Sequence, residues 1–183
     1  MSKRISFSDV KILNLNVIKD SRGYFTETYN KDFLLKNGIS NNFIQDNQSF
    51  SEKKNTLRGM HFQLQPYDQS KLIRVISGSI YDVFIDLRKD SEKYLHYGAY
   101  ELNPNSGLLY IPSGFAHGFL TLSDKTLVSY KVDKYYDKKS EFGIRWDDPS
   151  FSIEWPNIKD NFILSEKDNN LPLWNEIEMK VTF

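Results

Sequence analysis

The stretch Asn55-Thr-Leu-Arg-Gly-Met-His-Phe-Gln63 sets a guanidinium, a glycine and an imidazole within four residues of one another. His61 is one of only three histidines in the chain, and imidazole is the side chain best suited to trading protons near neutral pH. Read as a β-strand, the stretch turns Arg58, Met60 and Phe62 to one face and Leu57, Gly59, His61 and Gln63 to the other. An imidazole and an amide sent into one space suit a polar pocket, although residue type alone fits a hydrogen-bonded structural histidine equally well. Lys71, Tyr130, His117 and Asp168 could also handle protons or charge. Each has a plainer reading by itself. Lys71 reads as a solvated charge, Tyr130 as strand packing, and His117, among Phe115, Gly118 and Phe119, as a structural imidazole. Asp168 could close a Ser165-x-x-Asp168 capping box, though Asn169, Asn170 and Pro172 leave little room for helix. His96, between Leu95 and Tyr97, reads as a surface residue.

The elements that must position these groups are short strands. Apolar alternation from Ile5 to Ile18 predicts one or two of them, and Asp20-Ser-Arg-Gly23 a turn into the β-rich run Tyr24–Tyr29. Asn30 reads as the N-cap of a helix of about two turns that holds Phe33, Leu34 and Leu35 inside and stops at Gly38. Ile73 and Val75, then Ser77-Gly78, then Tyr81, Val83, Ile85 and Leu87 read as a hairpin around a glycine turn. In its second arm Asp82, Asp86 and Arg88 face the other way, and Phe84 breaks the pattern. Further strands are expected at Tyr97–Leu102, Leu108–Ile111, Phe115–Leu122 and Leu127–Val132, and from Asp147 the tail is loop-like, punctuated by Pro149, Pro156 and Pro172. Many short strands with turns between them indicate an all-β sandwich or barrel, here expected as a single domain over residues 1–183.

Composition narrows the partners. Lys plus Arg and Asp plus Glu each total 24, and this charge balance argues against nucleic acid while leaving room for a local basic pocket. With no cysteine, the chain offers no disulfide, thiolate nucleophile or zinc–thiolate site. No apolar run approaches membrane length and Met1-Ser-Lys-Arg-Ile5 lacks the apolar core of a signal peptide, so a cytoplasmic protein with no membrane partner is expected.

Pro112-x-Gly114-x-x-His117 resembles the second signature of the cupin jelly roll. In metal-binding cupins the first signature supplies His-x-His and a Glu seven residues before a turn glycine. Here the pair is His61-x-Gln63, and Lys71 stands at the acidic position before Gly78. An ammonium there would repel a divalent ion, so the resemblance implies a cupin barrel without metal or other cofactor.

Over nearly its whole length the chain resembles the dTDP-4-dehydrorhamnose 3,5-epimerase family. The matching blocks are Asp20–Glu27, Gln45–Asn47, Leu57–Gln63, Lys71–Val75, Ile111–Phe119, Tyr130-Lys131, Tyr135-Tyr136, Ile144–Pro149 and Ile163–Asp168. The resemblance implies proton abstraction at C3 and C5 of a nucleotide-linked 4-keto sugar, with reprotonation from the opposite face. It makes His61 the base, Asp168 its orienting carboxylate, Tyr130 the acid and Lys71 the cation beside the enolate. It carries Arg22 and Arg58 to the anionic side of the substrate, and Phe25, Glu27, Gln45, Asn47, His117, Tyr136 and Glu141 to the rest of the pocket. It further implies a homodimer whose N-terminal strands cross to the partner, so that Arg22 and Phe25 serve the neighbouring subunit. Met60, Phe62, Ser70 and Asn169 depart from the family's usual Leu, Tyr, Gly and a basic residue. A single-centre epimerase, a 3,4-ketoisomerase, a non-catalytic sugar-binding cupin and a metal-dependent cupin oxygenase are the alternatives.

Overall fold

Residues 4–156 and 161–183 are described by a computed structural model. In chain order the strands are β1 (Lys11–Leu13), β2 (Val17–Asp20), β3 (Gly23–Thr26), β4 (Gln45–Ser51), β5 (Leu57–Gln63) and β6 (Lys71–Ser77). They continue as β7 (Ile80–Asp86), β8 (Tyr97–Leu102), β9 (Leu108–Ile111), β10 (Phe115–Thr121), β11 (Thr126–Val132) and β12 (Glu141–Gly143). Helix α1 (Lys31–Lys36) follows β3, while α2 (Glu166–Asn169) and α3 (Trp174–Ile177) lie near the C-terminus. Two five-stranded sheets carry the architecture, in the orders β1-β9-β6-β11-β4 and β12-β5-β10-β7-β8. Every strand pair is antiparallel.

Alternation along the strands builds three apolar layers. Ile73, Val75 and Val128 of the first sheet meet Ile80, Phe84, Phe115 and Phe119 of the second, packing one part of the space between the sheets. On the outer side of the second sheet, Met60, Phe62, Tyr81, Val83 and Ile85 are covered by Phe151, Trp155, Trp174, Ile177 and Val181 of the C-terminal segment. On the outer side of the first, Leu72, Leu108 and Tyr110 pack against Leu34 and Ile39. The tail is therefore loop-like in much of its backbone but belongs to the core, and it contains two short α-helices and a 3-10 turn (Glu178–Lys180) that the sequence reading did not place. Its stretch at 157–160 lies outside the described residues.

Two expectations are corrected here. The arms around Ser77-Gly78 do not form a hairpin, because β6 belongs to one sheet and β7 to the other. The turn residues bond to the β10–β11 loop instead, Ser79 N donating to Ser123 Oγ at 2.9 Å and Leu122 N to Ser79 O at 2.8 Å. Phe84 breaks the pattern because β7 lies between β10 and β8, buried on both faces, so Ile80 and Phe84 pack between the sheets while Val83 and Ile85 pack outside. In α1, Asn30 caps as expected, its side chain accepting from Phe33 N, but only Leu34 is buried and Leu35 is exposed. Successive residues on a helix point about 100° apart, so Phe33 and Leu34 reach the same apolar cluster while Leu35 turns outward.

Candidate active site

A bulge in β5 decides which of its side chains reach the space between the sheets. Against β10, Arg58 pairs with Phe119 and His61 with His117, so Gly59 and Met60 together stand opposite Gly118. The extra residue shifts the alternation by one. Arg58 and His61 consequently line the same cavity, while Leu57, Met60 and Phe62 are buried on the far side. Simple alternation had separated Arg58 from His61. Glycine is required at the bulge: Gly59 has φ +113°, and a Cβ there would lie 2.6 Å from Gly118 Cα.

His61 Nε2 lies 2.8 Å from Asp168 Oδ1, and the other carboxylate oxygen accepts from Gly59 N at 3.3 Å. Asp168 is almost wholly buried on α2, whose N-cap Ser165 accepts from Asp168 N through Oγ at 3.0 Å. Ser165 does cap the helix, yet the carboxylate turns to the histidine. Burial pushes the Asp168 carboxyl upward, but the hydrogen bond and charge of His61, the Gly59 amide and the Ser165 hydroxyl outweigh it and hold it below its ordinary range. An ionised carboxylate only accepts, so Nε2 carries the ring proton. Nδ1 is left with its lone pair and no hydrogen-bond partner among the described residues.

The other sheet supplies the opposite wall. Lys71 opens β6 and is nearly buried; Tyr130 stands on β11, paired with Asn47 of β4. Burial lowers the Lys71 ammonium to about 8, with the charges of Asp82 and Asp133 drawing it back upward. Lys71 Nζ donates to His61 O at 3.4 Å. Burial raises the Tyr130 phenol against the opposing charge of Arg58, which keeps the hydroxyl protonated at neutral pH. His117 projects from β10 with Nε2 2.9 Å from Asp82 Oδ2.

Arg58, His61, Lys71, His117, Tyr130 and Asp168 thus border one cavity of about 520 Å³, a size suited to a small-molecule ligand. An adjoining space of about 380 Å³ shares His61, Lys71 and Tyr130 and adds Gln45, Asn47, Tyr136 and Glu141. Tyr136 donates to Glu141 at 2.9 Å, and Glu141 also accepts from Lys167 Nζ at 2.6 Å. Three expected residues are not brought there by this chain. Arg22 pairs with Asp20 at the tip of the β2–β3 hairpin with its side chain 87% exposed, and Phe25 and Glu27 line a separate cleft with Leu15 and Phe33. His96 is half-buried rather than on the surface, its Nδ1 3.1 Å from Tyr94 O, and lies outside both spaces.

Sequence reasoning missed two groups beside the site. Asp82, behind His117, carried a signal: an acid in a strand where its neighbours are apolar. Lys167, which bridges to Glu141, carried none, because its position depends on how the C-terminal segment returns to β12.

A family model described as dTDP-4-dehydrorhamnose 3,5-epimerase matches residues 4–176. The chain belongs to that family. The epimerase of Methanothermobacter thermautotrophicus is 44% identical over 169 residues, 91% of this chain and 90% of the relative. The crystal structure of the Bacillus anthracis epimerase with TDP and PPi bound superposes with a TM-score of 0.88 at 45% identity, covering 94% of this chain and 98% of that one. The Legionella pneumophila dTDP-6-deoxy-D-glucose-3,5-epimerase in complex with dTDP-4-keto-L-rhamnose gives a TM-score of 0.90 at 35% identity, covering 98% and 96%. The two-sheet architecture is accordingly the cupin-like jelly roll of the epimerase family, as the sequence led us to expect.

Proposed function

We propose that the chain catalyses 3,5-epimerisation of dTDP-4-keto-6-deoxy-D-glucose in dTDP-L-rhamnose synthesis, as a cytoplasmic homodimer of single-domain subunits without a metal or other cofactor. The observation that carries this reading is the placement of His61 and Tyr130 on opposite sheets around one cavity with Lys71 beside them. The C4 carbonyl acidifies the hydrogens on C3 and C5. His61 takes one through its Nδ1 lone pair, and the imidazolium that forms is held by Asp168. The electron pair moves to the C4 oxygen, where the Lys71 ammonium meets the developing charge. Tyr130 then gives its hydroxyl proton to the carbon from the opposite face, inverting the centre; the imidazolium releases its proton to solvent and the phenolate takes one up, which resets both groups. The same exchange at the second carbon completes the reaction. Each proton-transfer partner contributes roughly 10²–10⁴-fold, and the cation at the oxyanion about 3–4 kcal/mol.

Arg58 sits on the anionic side of the substrate, and Gln45, Asn47, His117, Tyr136 and Glu141 complete the pocket. Arg22, Phe25 and Glu27 complete the partner's pocket, a placement supported by the exposed apolar surface of their hairpin. The test is proton NMR of dTDP-4-keto-6-deoxy-D-glucose with the protein in deuterated water. Deuterium should enter at both C3 and C5. Entry at one carbon alone would mean a single-centre epimerase, and entry at neither would leave only sugar binding.

A further inference from the structure

Asp82 stands in the middle of β7 on the face that looks between the sheets, fully buried, with Ile80 and Phe84 on either side of it along that face. It does not line the cavity; His117 stands between. A buried carboxylate is costly without partners, and those of Asp82 all lie toward the site. Oδ2 accepts from His117 Nε2 at 2.9 Å. Oδ1 has no partner among the described residues. Lys71 feels the charge of Asp82 and of Asp133, but Asp133 is committed elsewhere, accepting from Ser70 N and from Asn41 Nδ2 at 2.7 Å each. Asp82 is the acid with capacity left.

We infer that Asp82 is a positioning residue for the epimerisation: it locks the His117 ring with Nδ1 left for the cavity, and it is the counter-charge that keeps Lys71 an ammonium beside the substrate carbonyl. Since a carboxylate only accepts, the ring proton of His117 sits on Nε2. The Lys71 ammonium is surrounded by groups from several elements. His61, held by Asp168, and Arg58 come from β5; His117 comes from β10 and Tyr130 from β11, with Asp133 just beyond. Of these, only Asp82 and Asp133 draw the ammonium upward against the burial that has already lowered it. Removing the charge of Asp82 therefore makes Lys71 lose its proton at lower pH. The protonated form is the one that stabilises the enolate, so activity should fall away earlier on the alkaline side.

Two measurements test this. In spectra of the unmodified protein labelled with nitrogen-15 histidine, the His117 resonance, identified by its loss from the spectrum of a His117→Gln variant, should carry its proton on Nε2. In deuterium wash-in assays, Asp82→Asn should move the alkaline fall-off down by about one pH unit, whereas Asp82→Glu, which keeps the charge, should leave it in place even if slower. A proton on Nδ1 alone overturns the inference, whether or not either variant folds. So does an unmoved fall-off in Asp82→Asn, or an equal shift in both variants, as a purely structural role would give. The rate arm rests on the epimerase reading, but the tautomer needs no substrate, so the two can fail separately.

Discussion

His61 is held in order before any substrate arrives. Asp168 fixes one ring nitrogen at 2.8 Å and leaves the other without a partner, so the tautomer a base needs, with the proton on Nε2 and the lone pair on Nδ1, is already set. His61→Asn keeps an amide in that place but no basic nitrogen, and should abolish deuterium entry at both C3 and C5; exchange that survived would remove His61 from the mechanism. In the proposed mechanism Tyr130 differs in kind, because it returns a proton rather than taking one. Tyr130→Phe should still allow exchange while formation of the inverted sugar falls roughly 10²–10⁴-fold, read from the ratio of exchanged substrate to product. In the same proposed mechanism Lys71 sets the pH dependence. Its ammonium is lowered to about 8, and the charged form is the useful one, so kcat should hold below that value and decline above it. A kcat that kept rising through pH 9 would exclude an essential ammonium. Lys71→Met should lower kcat by the equivalent of about 3–4 kcal/mol, with the alkaline decline gone from whatever activity remains.

At the scale of elements, the cavity depends on one irregularity. The bulge at Gly59 and Met60 brings Arg58 and His61 to the same side, and the close approach of Gly118 leaves no room for a side chain. Gly59→Ala should destabilise the protein by about 2–4 kcal/mol, seen in urea unfolding, and should cost activity in whatever folds; a variant with unchanged stability would mean that the bulge adapts. This feature also marks where sequence reading ends. Strands β8 and β9 were legible at their boundaries because each is a short, largely apolar run between clear turn signals. The parity of β5 was not, since one extra residue reverses every side chain beyond it and is visible only against β10. Gly78 likewise announced a reversal of the chain without saying which sheet receives it. His61, Lys71, Tyr130 and Asp168 could be gathered only through resemblance to a family, because they come from β5, β6, β11 and α2 and no local pattern joins them. Asp82 was legible as an acid in an apolar strand, but its partner His117 lies 35 residues away.

At the scale of the whole molecule, the N-terminal arm leaves apolar surface uncovered. Among the described residues, strands β2 and β3 pair only with each other. Val17, Ile18, Tyr24 and Phe25 on them are all exposed, between 45% and 65%. A two-stranded ribbon is marginal by itself in water, and this much apolar surface on one projection is what a subunit contact would bury. Arg22 stands at its tip, away from its own chain's cavity. If the arm closes the neighbour's site, Arg22→Ala and His61→Asn damage each site through different chains, and a mixture can repair one. Each variant alone should be impaired, Arg22→Ala by about 10–100-fold in kcat/KM through loss of a charged hydrogen bond and His61→Asn far more. After unfolding and refolding together, half of the dimers should be mixed, each with one site that has both residues, restoring about a quarter of the unmodified activity. If Arg22 served its own subunit, every site would lack one residue or the other and mixing would restore nothing. Sedimentation of an Ile18→Ser, Phe25→Ser variant supplies the structural half of the test, since loss of the apolar arm should shift the protein from dimer to monomer.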